Sequence, residues 1–335
     1  MKRIAIIGGG SWGTALAIVL ARQSLRRQVK LWVRDAALCE QMRKRRVNAV
    51  YLPGHKIPRN VEVTPDLPAA LDGAEIVVGV MPSAHAREMY SKMLPYLHSG
   101  KILVSATKGL EQERRLRMSE VIRDVLSPKF EPRVAVLSGP SFAREVARGD
   151  PTAVVIASAD RETAKEVQAE FSGPTLRLYT NDDIIGTELG GAVKNVIAIA
   201  AGVCVGMGLG HNTMAALVTR GLVEMVRLAV ALGGRRETLM GLAGLGDLVL
   251  TCTGALSRNR TVGVELGKGR KLERILAGKR MVAEGVGTTR VALELAGRAA
   301  VEMPITEQME AVLYRGLAPR KAIRELMERR PKAED

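Results

Sequence analysis

The amino-acid sequence predicts an α/β protein in two parts: a doubly wound, mostly parallel sheet over residues 1–182, followed by an all-α domain over residues 183–335. Three observations carry that prediction. Short β-branched apolar runs alternate with amphipathic helical segments through the first half. A glycine cluster, Gly8-Gly9-Gly10-Ser11-Trp12-Gly13, follows the first such run directly. Beyond about Asn181 the strand-like runs stop and long apolar helical patterns take over.

Taken in order, the strand-like runs are residues 3–7, 29–33, 76–80, 102–105, 134–137, 153–156 and 176–179. Helical patterns at 13–23, 113–126, 142–148 and 161–171 lie between them, and connections of that length make βαβ units. The second half reads as helices over 184–205, 213–232, 258–266, 291–299, 305–314 and 319–327. Pro304 and Pro319 stand at helix starts, where a missing N–H costs nothing.

A chain of 335 residues that is 47% hydrophobic and 25% charged has material for two cores, which excludes the disordered and fibrous classes. The most apolar stretch, residues 189–209, contains Lys194 and five glycines, so it reads as a buried helix and no membrane span is expected. The apolar run after Met1-Lys2-Arg3 is too short for a secretion signal. Three cysteines (Cys39, Cys204, Cys252) form no C-x-x-C pair, and both features point to a reducing cytoplasm. The net charge of +15 favours anionic ligands. Only 3% of residues are aromatic, too few for a base-stacking platform. The run Arg43-Lys44-Arg45-Arg46 reads as a solvated helix end. A small phosphorylated molecule is therefore expected in preference to nucleic acid.

Gly8, Gly10 and Gly13 fit G-x-G-x-x-G between a strand and the helix opening at Thr14. Gly8 permits the tight turn, Gly10 lets a pyrophosphate approach the backbone, and Gly13 lets helix and strand pack closely. The helix start then offers unpaired N–H groups to the phosphates. Together they predict a dinucleotide site of the Rossmann type. About 20 residues further on, Arg34 and Asp35 end the second strand. Arginine accommodates a 2′-phosphate and an acid binds a free ribose. Arg34 at the ribose favours NADP, as NADPH, and the adjacent acid leaves NAD open.

Ligands of doubly wound sheets lie beyond the carboxyl ends of the strands. Lys108 stands there after the run at 102–105, and Gly139 and Ser141 stand at the turn after 134–137. A surface lysine and a helix-capping serine are the plain alternatives. Between Ile185 and Met214 the only charged residues are Glu188 and Lys194. Small residues share the helix face of Lys194, leaving room for a ligand, and apolar surroundings make an ammonium an acid–base group; a lysine snorkelling to solvent is the alternative. Asp247 is isolated in Gly244-Leu245-Gly246-Asp247-Leu248. It is either the carboxylate partner of Lys194 or a helix N-cap. Ser257-Arg258-Asn259-Arg260 clusters donors suited to a phosphate. The four histidines show no metal-ligand spacing, and no nucleophile elbow or Walker loop is present.

Assembled in this order, the chain resembles the bacterial NAD(P)-dependent sn-glycerol-3-phosphate dehydrogenase family. Besides the glycine turn, the matching stretches include Ala106-Thr107-Lys108-Gly109-Leu110-Glu111, Ser138-Gly139-Pro140-Ser141-Phe142-Ala143 and Gly190-Gly191-Ala192-Val193-Lys194-Asn195. Further matches are residues 241–253, Ser257-Arg258-Asn259-Arg260, Val282-Ala283-Glu284-Gly285 and Glu302-Met303-Pro304-Ile305-Thr306-Glu307. The resemblance implies reversible reduction of dihydroxyacetone phosphate to sn-glycerol 3-phosphate, for phospholipid synthesis, by a homodimer. It implies Lys194 as proton donor and acceptor. Lys108, Gly139, Ser141, Asp247, Ser257, Arg258, Asn259 and, from related eukaryotic enzymes, Thr251 match substrate positions. Ser11, Trp12, Arg34, Lys108, Ala143, Arg258, Val282 and Glu284 match cofactor positions. Ser141 stands where threonine is common, and Gly285-Val286-Gly287 departs from the usual pattern. Two rival readings are a β-hydroxyacid dehydrogenase acting on a carboxylate and a nucleotide-sensing, nucleic-acid-binding regulator.

Overall fold

A computed structural model describes residues 1–277, 282–331 and 333–334. Its contacts divide into two units, Met1–Glu188 and Leu189–Asp335. The first unit runs β1 (Ile4–Ile7), α1 (Ser11–Arg22), β2 (Val29–Trp32), α2 (Ala36–Arg45), β3 (Val47–Asn48), β4 (Leu52–Lys56), β5 (Val61–Thr64), α3 (Leu67–Leu71), β6 (Ile76–Gly79) and α4 (Ala86–Met93). It continues β7 (Ile102–Ser105), α5 (Met118–Leu126), β8 (Arg133–Ser138), α6 (Ala143–Arg148), β9 (Thr152–Ala157), α7 (Arg161–Phe171) and β10 (Leu176–Asn181).

Eight of these strands form one sheet in the order β10-β9-β8-β7-β6-β1-β2-β5. Every neighbour pair is parallel except β8 with β9. β1 and β6 are buried on both sides, which is why their sequences are continuously apolar. One face packs on α1, α2, α6 and α7, the other on α3, α4 and α5, giving two apolar cores. The expected doubly wound, mostly parallel sheet is thus present.

Some local expectations are corrected. β5 belongs to the sheet although no strand is expected at 61–64; it is short, at the edge, and its Glu62 is exposed, so it lacks an apolar run. The hairpin of β3 and β4 is also additional. The helix expected from 113 begins only at Met118. The chain before it doubles back, with Leu110 bridged to Arg117 and Arg115 in the left-handed region at φ 61°. The antiparallel β8–β9 pairing is invisible in sequence, because an apolar strand reads alike in both directions.

Helix α8 (Ile184–Gly206) begins in the first unit and continues into the second. Glu188 is buried in the first unit and accepts from Ser119 N (2.7 Å), Ser119 Oγ (2.6 Å) and Arg117 Nη1 (2.8 Å). Burial pushes its carboxyl above the usual range, and the Arg117 and Ser119 contacts oppose that shift. Glu188 is therefore a structural clip on the start of α5.

After α8 come α9 (His211–Ala231), α10 (Arg236–Met240), α11 (Asp247–Thr253), α12 (Arg258–Gly267), α13 (Leu272–Leu276), α14 (Glu284–Arg298), α15 (Pro304–Tyr314) and α16 (Pro319–Met327). No strand occurs among the described residues of this unit. Helix α14 starts seven residues before the expected 291, since Gly285 and Gly287 break the apolar pattern without breaking the helix. By length and composition α8 could cross a membrane, but 89% of its apolar window is buried inside the fold.

Glycines set how closely these helices approach. Gly202 and Gly206 of α8 meet Gly263 and Gly267 of α12, each pair spaced four apart. A Cβ at any of the four would overlap a backbone carbonyl of the other helix, at Arg260, Val264, Ile199 or Val203 respectively. Backbone-to-backbone contact of this kind needs small residues on both sides. Gly285 fits against Asn195 O in the same way, where a Cβ would lie at 2.5 Å.

Gly263→Ala should therefore destabilise the protein by about 3 kcal/mol through overpacking. Gly297→Ala, where a Cβ meets nothing within 4 Å, should be neutral or stabilising by up to about 1 kcal/mol. Thermal or urea unfolding of the two variants checks the contrast.

Candidate functional site

The first unit presents a glycine-lined turn. Gly8 has φ +134°, and a Cβ there would meet Val80 O at 2.6 Å. A Cβ on Gly13 would overlap Gly8 O, so Gly13 brings α1 onto the turn. Gly10 differs: its Cβ direction is open for 4 Å. Helix α1 has no side-chain cap and no acidic residue in its first turn, so no carboxylate of its own first turn offsets the positive end of the helix. The indole Nε1 of Trp12 is buried without a partner. A pyrophosphate fits this arrangement in size, charge and hydrogen bonding.

Two residues that sequence reasoning missed hold the turn. Asn48 is fully buried and donates to Gly9 O and to Thr14 Oγ1, both at 2.9 Å. Its own Oδ1 accepts from Tyr51 N (3.1 Å), while Ser11 Oγ donates to Tyr51 O (2.6 Å). Their stretch, 47–51, has no strong periodicity, and the burial that singles out Asn48 is visible only in the fold. At the end of β2, Asp35 is occupied as the N-cap of α2, accepting from Leu38 N at 3.0 Å. Arg34 is exposed beside it.

At the carboxyl ends of β7 and β8, Lys108 Nζ donates to Gly139 O (2.6 Å) and lies 3.2 Å from Ser141 Oγ. Ser141 Oγ also bonds Gly139 O at 3.0 Å. Gly139 has φ +129°, and its Cβ would press on Val154 Cα at 3.0 Å, so a side chain is excluded. Ala143 opens α6, half-buried. Lys108, Gly139 and Ser141, which the sequence places beyond two strand ends, therefore share one hydrogen-bonded cluster.

In the second unit, the Lys194 ammonium lies 2.6 Å from Asp247 Oδ1, with side chains only 6% and 2% exposed. Nζ also donates to Thr251 Oγ1 at 2.7 Å, and Thr251 Oγ1 donates to Asp247 O at 2.6 Å. The lysine does not snorkel, and Asp247 is its counter-ion as the first residue of α11, not an N-cap. A π-helical turn over Leu242–Gly246 delivers Asp247, and Gly190 lets it approach α8: a Cβ there would lie 2.5 Å from Ala243 O. Removing either charge would strand the other, whose burial is costly.

Asn259 is buried and bridges three helices. Its Nδ2 donates to Asn195 Oδ1 (2.8 Å), and its Oδ1 accepts from Gly285 N (3.0 Å). Ser257 caps α12 by accepting from Arg260 N at 3.2 Å. Arg258, the first residue of α12, is exposed; Val282 is 44% exposed and Glu284 is half-buried at the start of α14. Among the described residues no group of three or more His, Cys, Asp and Glu could hold a metal.

The description "NAD-dependent glycerol-3-phosphate dehydrogenase N-terminus" matches residues 3–164, and the corresponding C-terminus matches residues 183–324. The chain belongs to the NAD-dependent glycerol-3-phosphate dehydrogenase family. Among curated relatives, the glycerol-3-phosphate dehydrogenase (NAD(P)+) of Koribacter versatilis is 59% identical over 330 residues, covering 98% of each chain. That of Acidobacterium capsulatum is 57% identical over 334 residues, again covering 98% of each. The crystal structure of the Coxiella burnetii glycerol-3-phosphate dehydrogenase superposes with a TM-score of 0.93 at 42% identity, covering 98% of this chain and 99% of that one. A ketopantoate reductase from Ralstonia eutropha, at 16% identity and TM-score 0.61, shares the fold alone. Membership in the dehydrogenase family displaces both the hydroxyacid and the regulator readings.

Asp247→Ala should lower stability by about 3–5 kcal/mol, because the ammonium is left buried and unpaired. Lys194→Met combined with Asp247→Leu should recover most of that loss. Denaturant unfolding of the single and double variants decides it.

Proposed function

We propose that the protein reduces dihydroxyacetone phosphate reversibly to sn-glycerol 3-phosphate, with Lys194 as the proton donor and acceptor. The observation that carries the assignment of Lys194 is its buried pairing with Asp247 and Thr251. Residues 1–182 form the dinucleotide-binding part in this reading, and residues 183–335 hold the substrate. When bound, the reduced dinucleotide supplies a hydride to the ketone carbon.

The protein's residues do the rest. The Lys194 ammonium stabilises negative charge developing on the carbonyl oxygen and gives it the proton, leaving a neutral amine. Asp247 and Thr251 fix the direction of Nζ and hold the proton there until it is needed. Lys108, held by Gly139 and Ser141, adds a second positive charge toward the substrate. Arg258, with Ser257 and Asn259 beside it, grips the phosphate, so that binding energy remote from the reacting carbon orients the carbonyl. Gly8, Gly10 and Gly13 with Ser11 and Trp12 cradle the pyrophosphate, and Ala143, Val282 and Glu284 line the cofactor.

Arg34 takes a 2′-phosphate, which favours NADPH over NADH; the capping role of Asp35 supports this, since its carboxylate is turned to α2. A cytoplasmic homodimer feeding phospholipid synthesis completes the reading. The family resemblance supports it, and three buried, unpaired cysteines fit the reducing compartment in particular.

Lys194→Ala should reduce kcat by at least about 10²-fold while leaving NADPH affinity unchanged, the loss expected for a proton-transfer group. Steady-state assays at the reduced-nicotinamide absorbance, with fluorescence titration of NADPH, check both; near-native turnover refutes the role. Arg258→Ala should chiefly raise KM for dihydroxyacetone phosphate, by roughly 10–100-fold for a charge-assisted phosphate contact. An unchanged KM removes Arg258 from the phosphate site.

A further inference from the structure

The amino-terminal end of the β2–β5 edge carries a feature that the reduction reaction does not use. Residues 2–59 contain thirteen lysines and arginines but only two acidic residues, Asp35 and Glu40. Several of these cations gather around a concavity of about 480 Å³, whose lining includes Arg43, Arg46, Arg59 and Asn60, with Glu62 the one carboxylate on it. It lies where β2 and β5 begin and α2 ends. The glycine turn follows the other, carboxyl end of the parallel strands.

Two of the arginines are anchored by the open edge of the sheet. β5 is the last strand, so alternate carbonyls have no strand partner. Arg43 Nε donates to Val63 O at 2.7 Å. Arg46 donates to Val61 O (2.9 Å), Ile57 O (3.3 Å) and Pro58 O from a left-handed position at φ 53°. These bonds hold the guanidinium groups in place yet neutralise no charge, because a carbonyl is not a counter-ion. Arg43 keeps its terminal N–H groups, and Arg46 keeps those of Nη1. Asn60 ties the adjoining loop to Ala21 O, Ser24 O and Arg27 O at 2.9–3.1 Å, so the wall carrying Arg59 is fixed. Arg59 is exposed and, like neighbouring Lys56, forms no ion pair among the described residues.

We propose that this concavity is a second anion site, taking a phosphate-bearing ligand of several negative charges. Forked guanidinium groups suit phosphate oxygens, and two of the three are preorganised by main-chain bonds, which lowers the ordering cost of binding. The same chemistry is offered by a free polyphosphate and by an anionic lipid headgroup. The site is independent of the proposed reduction, since none of its residues has a part in it.

The test uses the full chain saturated with NADPH, so that the glycine turn is filled, at about 50 mM salt, where screening is modest. Sodium tripolyphosphate is titrated calorimetrically, and sedimentation with phosphatidylglycerol vesicles runs in parallel. The expected result is a Kd below about 1 mM for tripolyphosphate, weakened roughly tenfold or more in Arg59→Glu, as loss of a charge-assisted contact requires. Arg59 has no partner to lose, so this variant keeps the fold; Arg43→Gln should weaken binding in the same direction. Both should retain dihydroxyacetone phosphate reduction. Vesicle binding without tripolyphosphate binding, lost in the same variants, identifies the ligand as a lipid headgroup. No binding to either probe, or binding indifferent to Arg59 and Arg43, overturns the proposal.

Discussion

The ion pair of Lys194 and Asp247 governs the helical unit. An ammonium taken out of water needs a carboxylate close by, and both need the remaining hydrogen bonds satisfied. Thr251 completes the set by accepting from Nζ and donating to Asp247 O. To bring α11 so near, α8 must present almost no side chain at Gly190, and the turn before Asp247 adopts π-helical geometry. Further along α8, Gly202 and Gly206 let α12 approach as closely, and α12 carries Ser257, Arg258 and Asn259 at its start. The positions of Ser257, Arg258 and Asn259 and of Lys194 thus follow from one condition, that α8 be narrow enough for its neighbours to touch its backbone.

The first unit solves a different problem with the same residue type. Its sheet buries both faces at the centre, so β1, β6 and β7 are buried along their whole length and chemistry is confined to the loops beyond the strand ends. Glycine at 8, 10 and 13 gives a turn in which one Cβ direction is open and two are closed. Asn48 then fixes that turn from below with side-chain hydrogen bonds that no glycine could make. Lys108 is held by the carbonyl of Gly139 and the hydroxyl of Ser141. At the far end of the same sheet, Arg43 and Arg46 satisfy the carbonyls that an edge strand leaves open, which also blocks pairing with another chain.

Sequence alone determined the fold class, because periodicity and glycine placement are local signals: a strand of two-sided burial is apolar throughout, and α8 carries only two charges, Glu188 and Lys194, in an otherwise mostly apolar run. It also determined the chemistry available, since an isolated Lys194, an isolated Asp247 and a glycine turn after β1 are each legible residue by residue, and their order along the chain carries the family resemblance. Tertiary structure decided what depends on distance. Only packing shows that Asp247 is the counter-ion of Lys194 and not a helix cap, that Asp35 faces α2 while Arg34 is exposed, and that Glu188 clips α5. Only packing places β5 in the sheet, turns β9 against β8, and makes Asn48 a support of the glycine turn. Each of these turns on which of several satisfactory partners a polar group or strand edge meets, and a one-dimensional pattern records the need for a partner without recording its identity.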